Sequence, residues 1–464
     1  MTGTNKWLNH LIHKQNHIAP LAVFRIIFGL MMLISTLRFI LRGWVEDLYI
    51  TPTYFFTYYG LDWISPISPE FIYLLFGILI ITSILIIFGL FYRLNVSLFF
   101  LTFTYIELID KTNYLNHYYF ISLLSFILIF LPLNKYFSLD TFFGLTKKIT
   151  TVPVWTINII KLQLAFVYVF AGIAKLNYHW LIEAQPLINW LKHMSDFPII
   201  GKILLYDSTA YLFSWFGALF DLCIVFLLIN KKWRIYGYIL VLIFHITTSI
   251  MFPIGVFPLV MITSTLIFFG DNFHKKIIAT ISKLFYFIKK KNSDNHPFTI
   301  SRKTKNLLKI TFILFFTIQL FLPLRYLLYP GKLFWTEQGF RFSWRVMLIE
   351  KAGYAQFFLH EPTNDRKIAI NNKKFLTPQQ EKMMSTQPDM ILQYAHFLSE
   401  YYKDSTFNES NGELIELGDR PKITADVKVS LFNKGSRPFI NKNVDLASIN
   451  RGFKHKNWVL PYEN

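Results

Sequence analysis

The strongest candidate for chemistry in the sequence is Lys175, which ends an apolar run that begins at Gln163. A small pair, Ala171 and Gly172, precedes the lysine, and an aromatic stretch up to Trp180 follows it. A lysine in this position can anchor a helix at a membrane surface, with its stem in lipid and its amine in water. It can also act as a base at the mouth of a buried site. The run alone leaves both interpretations open.

Other polar residues are placed in similar apolar surroundings. Tyr168, Gly172 and Lys175 have the spacing i, i+4, i+7, which puts them on one face of a helix; this suits a site and suits plain packing nearly as well. His245 lies inside an apolar run, where ionisable side chains are rare and usually functional. Asn116-His117 begins another apolar run, where a histidine is more often interfacial than catalytic. These positions define the candidate site.

The composition places the chain among polytopic α-helical membrane proteins. The 464 residues are 53% hydrophobic and carry a net charge of +19, and the mean hydropathy is +0.37. Much of the positive charge lies in short loops between apolar runs, which indicates membrane orientation and contact with anionic lipid and not a nucleic-acid partner. The single cysteine, Cys223, excludes an intramolecular disulfide and a cysteine-based metal site.

Apolar runs near 20 residues predict about nine transmembrane helices. Basic clusters follow the even-numbered runs, so the positive-inside rule predicts a cytoplasmic N-terminus. We expect a multi-pass protein of the cell (inner) membrane. Asn116, His117, Lys175 and His245 then fall in the outer half of the membrane. The predicted spans are 19–41, 70–92, 95–110, 117–133, 156–176, 207–229, 235–252, 254–270 and 307–325.

The character of the chain changes at about residue 326. Charges become dense, 425–431 alternates apolar and polar residues as strands do, and 388–402 has apolar residues at helical spacing. We therefore predict a transmembrane helical domain over 1–325 and a small α+β extracytoplasmic domain over 326–464. Neither contains a phosphate-binding glycine motif, an HExxH or a GxSxG, and no metal site is expected.

Six segments stand in a definite order along the chain, and together they resemble a known family. They are Pro20–Gly29, Lys111–His117, Phe166–Leu176, Leu219–Leu222, Phe244–His245 followed by Phe252–Phe257, and Phe342–Met347. On these segments the chain resembles the vitamin K-dependent γ-glutamyl carboxylases and their bacterial relatives, the horizontally transferred transmembrane (HTTM) family.

The resemblance implies an activity and its reagents. A lysine base deprotonates a reduced vitamin K or menaquinol-type quinol, which O2 converts into a strong base and finally an epoxide. That base removes the γ-proton of a glutamyl residue, which adds CO2. A dry membrane cavity suits such a base, because water would quench it. The implied partners are the lipid bilayer, the quinol and a glutamyl-containing peptide or protein.

The resemblance also assigns residues. Lys175 matches the base, His117 with Asn116 beside it matches the family's histidine motif, and either could hydrogen-bond the quinol oxygen. The residues expected to bind the quinol are Tyr168, His245, Phe257, Met261, Trp344 and Met347.

The chain departs from the family's pattern in three places; the first supports Lys175 as the base, and the third leaves other functions open. Ala174 replaces the first of two adjacent lysines in animal members, Arg345 replaces an acid, and the domain after 326 is much shorter than theirs. A quinol epoxidase, or another quinol-linked membrane enzyme without peptide carboxylation, is therefore one alternative. A non-enzymatic membrane protein that binds lipid or quinone is another.

Overall fold

A computed structural model of the chain describes residues 14–284, 296–362, 365–408 and 414–462. It is mostly helical, with strands concentrated near its C-terminus. The nine helices that correspond to the predicted spans are α1 (Ala19–Leu41), α2 (Pro69–Phe88), α3 (Tyr92–Ile109), α4 (Asn116–Ile129), α5 (Trp155–Lys175), α6 (Asp207–Ile229), α7 (Arg234–Met251), α8 (Phe257–Ser264) and α9 (Arg302–Phe321).

Within the described residues, six of these helices are long and apolar enough to cross a membrane: α1, α2, α5, α6, α7, and α9 with its continuation to Leu328. The remaining three predicted spans are helices too. However, α4 and α8 are shorter, and polar side chains such as Asn95 and Glu107 interrupt the 18-residue α3. The chain is therefore a multi-pass membrane protein, and a total of nine spans stays a prediction.

Local sequence signals set several helix ends. The Ser68 side chain accepts a hydrogen bond from the amide of Phe71, and Pro69 opens α2. The same helix stops at Gly89, which has a left-handed φ of 65° that glycine adopts without strain. At the end of α5, the Asn177 side chain accepts from the amide of Trp180 (3.0 Å) and starts a short helix. This turn fixes Lys175 as the last helical residue.

Small residues bring two helix pairs close together. A Cβ added at Gly29 of α1 would lie 2.8 Å from the carbonyl oxygen of Ser83 in α2. A Cβ added at Gly172 of α5 would lie 2.8 Å from the Leu222 side chain of α6. Such contacts let the backbones of membrane helices approach, since lipid gives little hydrophobic force for helix association. The second contact sets the spacing of the two helices that carry the candidate site.

The C-terminal region contains a four-stranded antiparallel sheet in the order β4 (Lys367–Ala369), β3 (Lys351–His360), β7 (Ile423–Leu431) and β8 (Ser436–Pro438). The two long strands pair over their whole length, from Lys351–Leu431 to Leu359–Ile423, and β7 alternates buried and less buried residues as predicted for 425–431. The predicted helix over 388–402 is observed as Pro388–Tyr401. The strands are β1 (Gln15–His17), β2 (Thr151–Pro153), β3 (Lys351–His360), β4 (Lys367–Ala369), β5 (Thr406–Asn408), β6 (Leu414–Glu416), β7 (Ile423–Leu431) and β8 (Ser436–Pro438).

The sheet region and one end of the helical part share a hydrophobic core. Ala174, Trp180 and Phe252 from the helical part are buried in the same cluster as Trp335 and Phe357 from the C-terminal region. This arrangement places the end of α5 that carries Lys175 directly under the C-terminal region.

A partly buried ionic cluster joins the same two parts. The carboxylate of Asp389 pairs with Lys111 (2.9 Å), between α3 and α4, and with Arg341 (2.8 Å). Burial alone would raise the pKa of Asp389, but Arg341 and Lys111 hold that pKa well below its ordinary value. Burial also lowers the pKa of Lys111, to about 8.

Candidate active site

A largely apolar cavity lies between α5, α6, α7 and α8, at their ends nearest the C-terminal region. Of the nine predicted site residues, six line it: Tyr168, Lys175, His245, Phe257, Met261 and Met347. The other lining residues are Val167, Ala171, Trp180, Leu187, Phe213, Gly217, Asp221, Phe244, Thr248, Phe252, Ile254 and Val346. The sequence therefore predicted six of the 18 residues that line this cavity, from four separate segments of the chain.

Lys175 turns inward from the last turn of α5. Its Nζ lies 2.6 Å from Oδ2 of Asp221 in α6, and the side chains of both residues are only 7% exposed. Trp180 covers the ammonium group, with its ring centroid 5.5 Å from Nζ. A surface anchor would extend its amine into water. The buried ion pair excludes that geometry and gives the cavity one polar end.

The sequence analysis missed Asp221. It lies in the Leu219–Leu222 segment, which was noted only as part of the resemblance. An acidic residue inside a span is costly unless it is paired, so its presence in α6 was itself a signal of a partner in a neighbouring helix. Only the packing of α5 against α6 identifies that partner as Lys175.

His245 and Tyr168 form a second polar contact in the cavity. The Tyr168 hydroxyl lies 3.1 Å from Nε2 of His245, and both residues are almost fully buried. Nδ1 of His245 has no hydrogen-bond partner among the described residues. If the hydroxyl donates to Nε2, Nδ1 carries a proton and is a free donor. Around the pair, the rings of Phe220 and Phe244 stack with centroids 4.1 Å apart.

Asn116 and His117 lie beside the cavity and do not line it. The Asn116 side chain accepts from the Tyr114 hydroxyl (3.0 Å) and donates to the carbonyl oxygen of Arg345 (3.2 Å). The His117 ring is buried, with its centroid 5.9 Å from that of Phe257, which lines the cavity. Asn116 therefore holds the segment around Arg345 above the cavity, and the His117 ring packs behind Phe257 in the cavity wall.

The segment Arg341–Met347 forms a strap across this layer. Phe342, Trp344 and Met347 have left-handed φ values of 60°, 58° and 56°, which non-glycine residues adopt only when their surroundings enforce them. Met347 reaches the cavity. Trp344 does not line it; it is 1% exposed and stacks on Tyr119 with ring centroids 5.0 Å apart.

Fold and site together define a class: a multi-pass helical membrane protein with a largely apolar, lysine-bearing cavity covered by a C-terminal sheet region. Residues 13–273 match the family model described as HTTM domain. Residues 304–464 match the one described as vitamin K-dependent gamma-carboxylase, lumenal domain. The chain therefore belongs to the HTTM-domain family of vitamin K-dependent gamma-carboxylases, and the resemblance predicted from its motifs is confirmed. No solved structure matches it.

Family membership makes the chain a carboxylase-like membrane protein and implies a vitamin K cofactor. The cavity suits such a group. Its walls are mostly aromatic and aliphatic, as the ring and tail of a quinol require, and the buried, unpartnered Nδ1 of His245 offers a hydrogen bond to a ring oxygen. Within the described residues, no group of three or more His, Cys, Asp or Glu side chains could hold a metal ion.

Proposed function

We propose that the protein is an integral membrane enzyme that couples oxygenation of a reduced vitamin K-type quinol to γ-carboxylation of glutamyl residues. The observation that carries this proposal is the buried Lys175–Asp221 pair at one end of an apolar cavity. A bound and reduced quinol supplies, together with O2, a base strong enough to remove a γ-proton, and the resulting carbanion adds CO2.

Lys175 and Asp221 have a definite proton balance in this scheme. The pair holds one proton that either group can carry: ammonium with carboxylate, or amine with carboxylic acid. When Asp221 takes that proton, the amine of Lys175 can accept a second one from a substrate hydroxyl. The pair then carries one positive charge beside the oxyanion that it has created, which favours the anion in a site of low dielectric. The lysine is thus the base, and the aspartate holds the proton that the base must first give up.

The surrounding residues orient the ring and exclude water. Tyr168 fixes His245 through the 3.1 Å contact, and the free Nδ1 is available to a ring oxygen. Phe257 and Met261 provide apolar walls, and Met347 covers the cavity from the strap. A catalytic role for Asn116 and His117 stays a prediction. In the described geometry, Asn116 donates a hydrogen bond to the strap and His117 packs near Phe257.

The membrane arrangement is part of the proposal. We propose that the N-terminus is cytoplasmic and that 326–464 forms the extracytoplasmic domain over the helical domain 1–325. The loops that carry the basic clusters support this orientation through the positive-inside rule. The cavity would then open toward the outer side of the cell membrane, where a glutamyl peptide could reach it.

One observation favours a second candidate, quinol epoxidation without peptide carboxylation. Among the residues that line the cavity, Lys175 is the only lysine or arginine, and Asp221 already neutralises it. The cavity therefore offers no unpaired cation to the carboxylate of a glutamyl side chain.

A single assay separates the possibilities. Purified protein in nanodiscs receives reduced vitamin K or menaquinol, a peptide with adjacent glutamates, and ¹⁴C-labelled bicarbonate. O2 uptake, epoxide and peptide-bound ¹⁴C are measured, with the oxidised quinone as control. All three signals support the carboxylase, and epoxide without labelled peptide supports the second candidate. Quinol binding without O2 uptake would refute both and indicate a quinone-binding protein.

A further inference from the structure

A second cavity, which we call the cationic cavity, lies where the C-terminal region meets the ends of α3 and α9. It shares no lining residue with the cavity around Lys175. Aromatic residues such as Tyr58, Tyr59 and Phe453 line it, and the last two are largely exposed at its rim. Its charged lining residues are five cations and two acids: Lys111, Arg325, Arg341, Arg451, Lys456, Glu337 and Asp389.

Both acids of the cationic cavity are already neutralised. Asp389 pairs with Lys111 and Arg341, and Glu337 pairs with Lys351 at 2.9 Å, a lysine outside the lining.

Two of the cations have no acidic partner within the described residues. The Arg325 guanidinium donates only to the carbonyl oxygens of Leu322 and Arg341. The Lys456 side chain forms no ion pair or hydrogen bond among the described residues, and Asp389 attracts it only from a distance. The cavity therefore has an excess of positive charge suited to an anion with several oxygen acceptors.

Next to the cationic cavity, an apolar crevice opens between α3, α4 and α9. The two spaces share Tyr58 and Phe342 as lining residues, so they adjoin. The crevice suits an acyl chain, because most of its wall consists of apolar side chains from α3, α4 and α9. Its other lining residues are Phe100, Thr104, Glu107, Leu108, Tyr114, Tyr119, Ser122, Leu123, Phe126, Phe315, Ile318 and Gln319.

Two hydroxyl groups in the crevice lack partners. Oγ of Ser122 and Oγ1 of Thr104 are buried, and neither has a hydrogen-bond partner among the described residues. At 1.5 Å per residue, both hydroxyls lie about 8 to 9 Å inside the helix ends at Ile109 and Asn116. A buried hydroxyl without a partner costs free energy, which indicates an acceptor supplied by a ligand.

The polarity of this composite site changes in a definite order with depth. Cations stand at the helix ends, and the carboxyl group of Glu107 lies about 3 Å inside the end of α3. Unpartnered hydroxyl donors follow one to two turns from the helix ends, and the aromatic rings of Phe100 and Phe126 follow at about 14 to 15 Å. A glycerophospholipid has the same order: a phosphate, then ester carbonyl oxygens, then acyl chains. A soluble acidic peptide or free phosphate would use only the first level.

We propose that the cationic cavity and the adjoining crevice bind one phospholipid with an anionic headgroup. Its phosphate contacts Arg325 and Lys456, its ester carbonyls accept from Thr104 and Ser122, and an acyl chain follows the crevice. The bound lipid would brace the joint between the C-terminal region and α3, α4 and α9. This inference concerns a separate cavity and does not depend on the proposed activity.

The test measures lipid binding directly. Full-length protein is stripped of lipid in mild detergent and titrated with fluorescent phosphatidylglycerol or phosphatidylcholine, and occupancy is read by native mass spectrometry and by fluorescence. We expect one equivalent of phosphatidylglycerol, bound at least tenfold more tightly than phosphatidylcholine. Millimolar inorganic phosphate or a tetraglutamate peptide should not displace it.

Two variants assign the site. Lys456→Gln should weaken phosphatidylglycerol binding about tenfold, as expected for the loss of one charged contact. The control Lys454→Gln removes the same charge from an exposed position two residues away and should leave the affinity unchanged. The double variant Thr104→Val with Ser122→Ala should also bind at least threefold more weakly. Its melting temperature without lipid should be unchanged or higher, because it removes two unsatisfied hydroxyls.

Several results would overturn the proposal. Equal affinity for the two lipids, or equal losses in Lys456→Gln and Lys454→Gln, would show that no specific headgroup site exists. Displacement by phosphate would identify a site for a free anion, and displacement by tetraglutamate a site for an acidic peptide. Unchanged affinity in the correctly folded hydroxyl double variant would exclude the crevice from the site.

Discussion

Lys175→Arg is the substitution that most directly tests the proposed base. Arginine stays protonated in proteins, so it can keep a charge contact with Asp221 but cannot accept a proton. The Nζ–Oδ2 distance of 2.6 Å and the 7% exposure of both side chains make this a buried pair, in which geometry and charge both matter. The variant therefore separates the structural contribution of the pair from its chemical one.

The expected loss of stability depends on the charges that each substitution leaves unpaired and on how well the new side chain fits. Lys175→Met leaves the Asp221 carboxylate buried without a partner, which should cost about 3 to 5 kcal/mol of stability. Lys175→Met combined with Asp221→Asn removes both charges and should recover most of that loss. Lys175→Arg should cost about 1 to 2 kcal/mol, since the larger guanidinium must fit beside Trp180 and Gly217.

Activity should follow a different order from stability. Removing a positioned general base typically costs about 10² to 10⁴ in rate. All three variants should therefore lose at least 100-fold in quinol-dependent epoxide formation, including the well-folded Lys175→Arg and the double variant. Thermal melting in nanodiscs and quinol-dependent O2 uptake, measured on the same preparations, give the two readouts. If Lys175→Arg turned over quinol at the wild-type rate while melting normally, the lysine would not be the base.

Three further predictions concern the elements around the site. Gly172→Ala places a Cβ 2.8 Å from the Leu222 side chain. It should cost about 1 to 3 kcal/mol of stability and lower turnover, because α5 must move away from α6. The control Gly77→Ala, whose Cβ meets nothing within 4 Å, should leave the melting temperature and the turnover unchanged. Tyr168→Phe removes the hydroxyl that is hydrogen-bonded to His245. The KM for quinol should rise about three- to tenfold, with a smaller change in kcat. A change confined to kcat would contradict an orienting role for this hydroxyl. Asp389→Asn removes the carboxylate that pairs with the buried Lys111 and the partly exposed Arg341. It should cost about 2 kcal/mol, below the full buried-pair loss because the Asp389 side chain is 36% exposed. Because its partners hold the pKa of Asp389 below the ordinary 3.8, the stabilisation is fully present above pH 3.8 and is lost as pH falls through the lower folded value. The difference in melting temperature between wild type and Asp389→Asn should be constant from about pH 5 to 7 and shrink below about pH 4; a constant difference down to pH 2 would contradict this pairing.

The sequence by itself determined the class of fold and six of the 18 residues that line the cavity. Hydrophobic runs longer than about 18 residues have few stable alternatives to membrane helices, because lipid cannot satisfy exposed backbone groups. Ordered motifs then identified Lys175, His245, Phe257, Met261 and Met347 together. The alternation of apolar and polar residues over 425–431 predicted β7, because every second side chain of a strand lies on the same, buried face.

Only the tertiary structure decided which polar groups meet. Lys175 and Asp221 are 46 residues apart along the chain, and no local pattern shows that α5 and α6 pack closely enough for a 2.6 Å contact. The same packing excluded an anchor role for Lys175, turned Asn116 toward the strap and buried Trp344 against Tyr119 instead of the cavity. The sequence shows which side chains are costly to bury in a membrane. Their partners are decided by helix packing, because the distances and directions between side chains on different helices exist only in the folded protein.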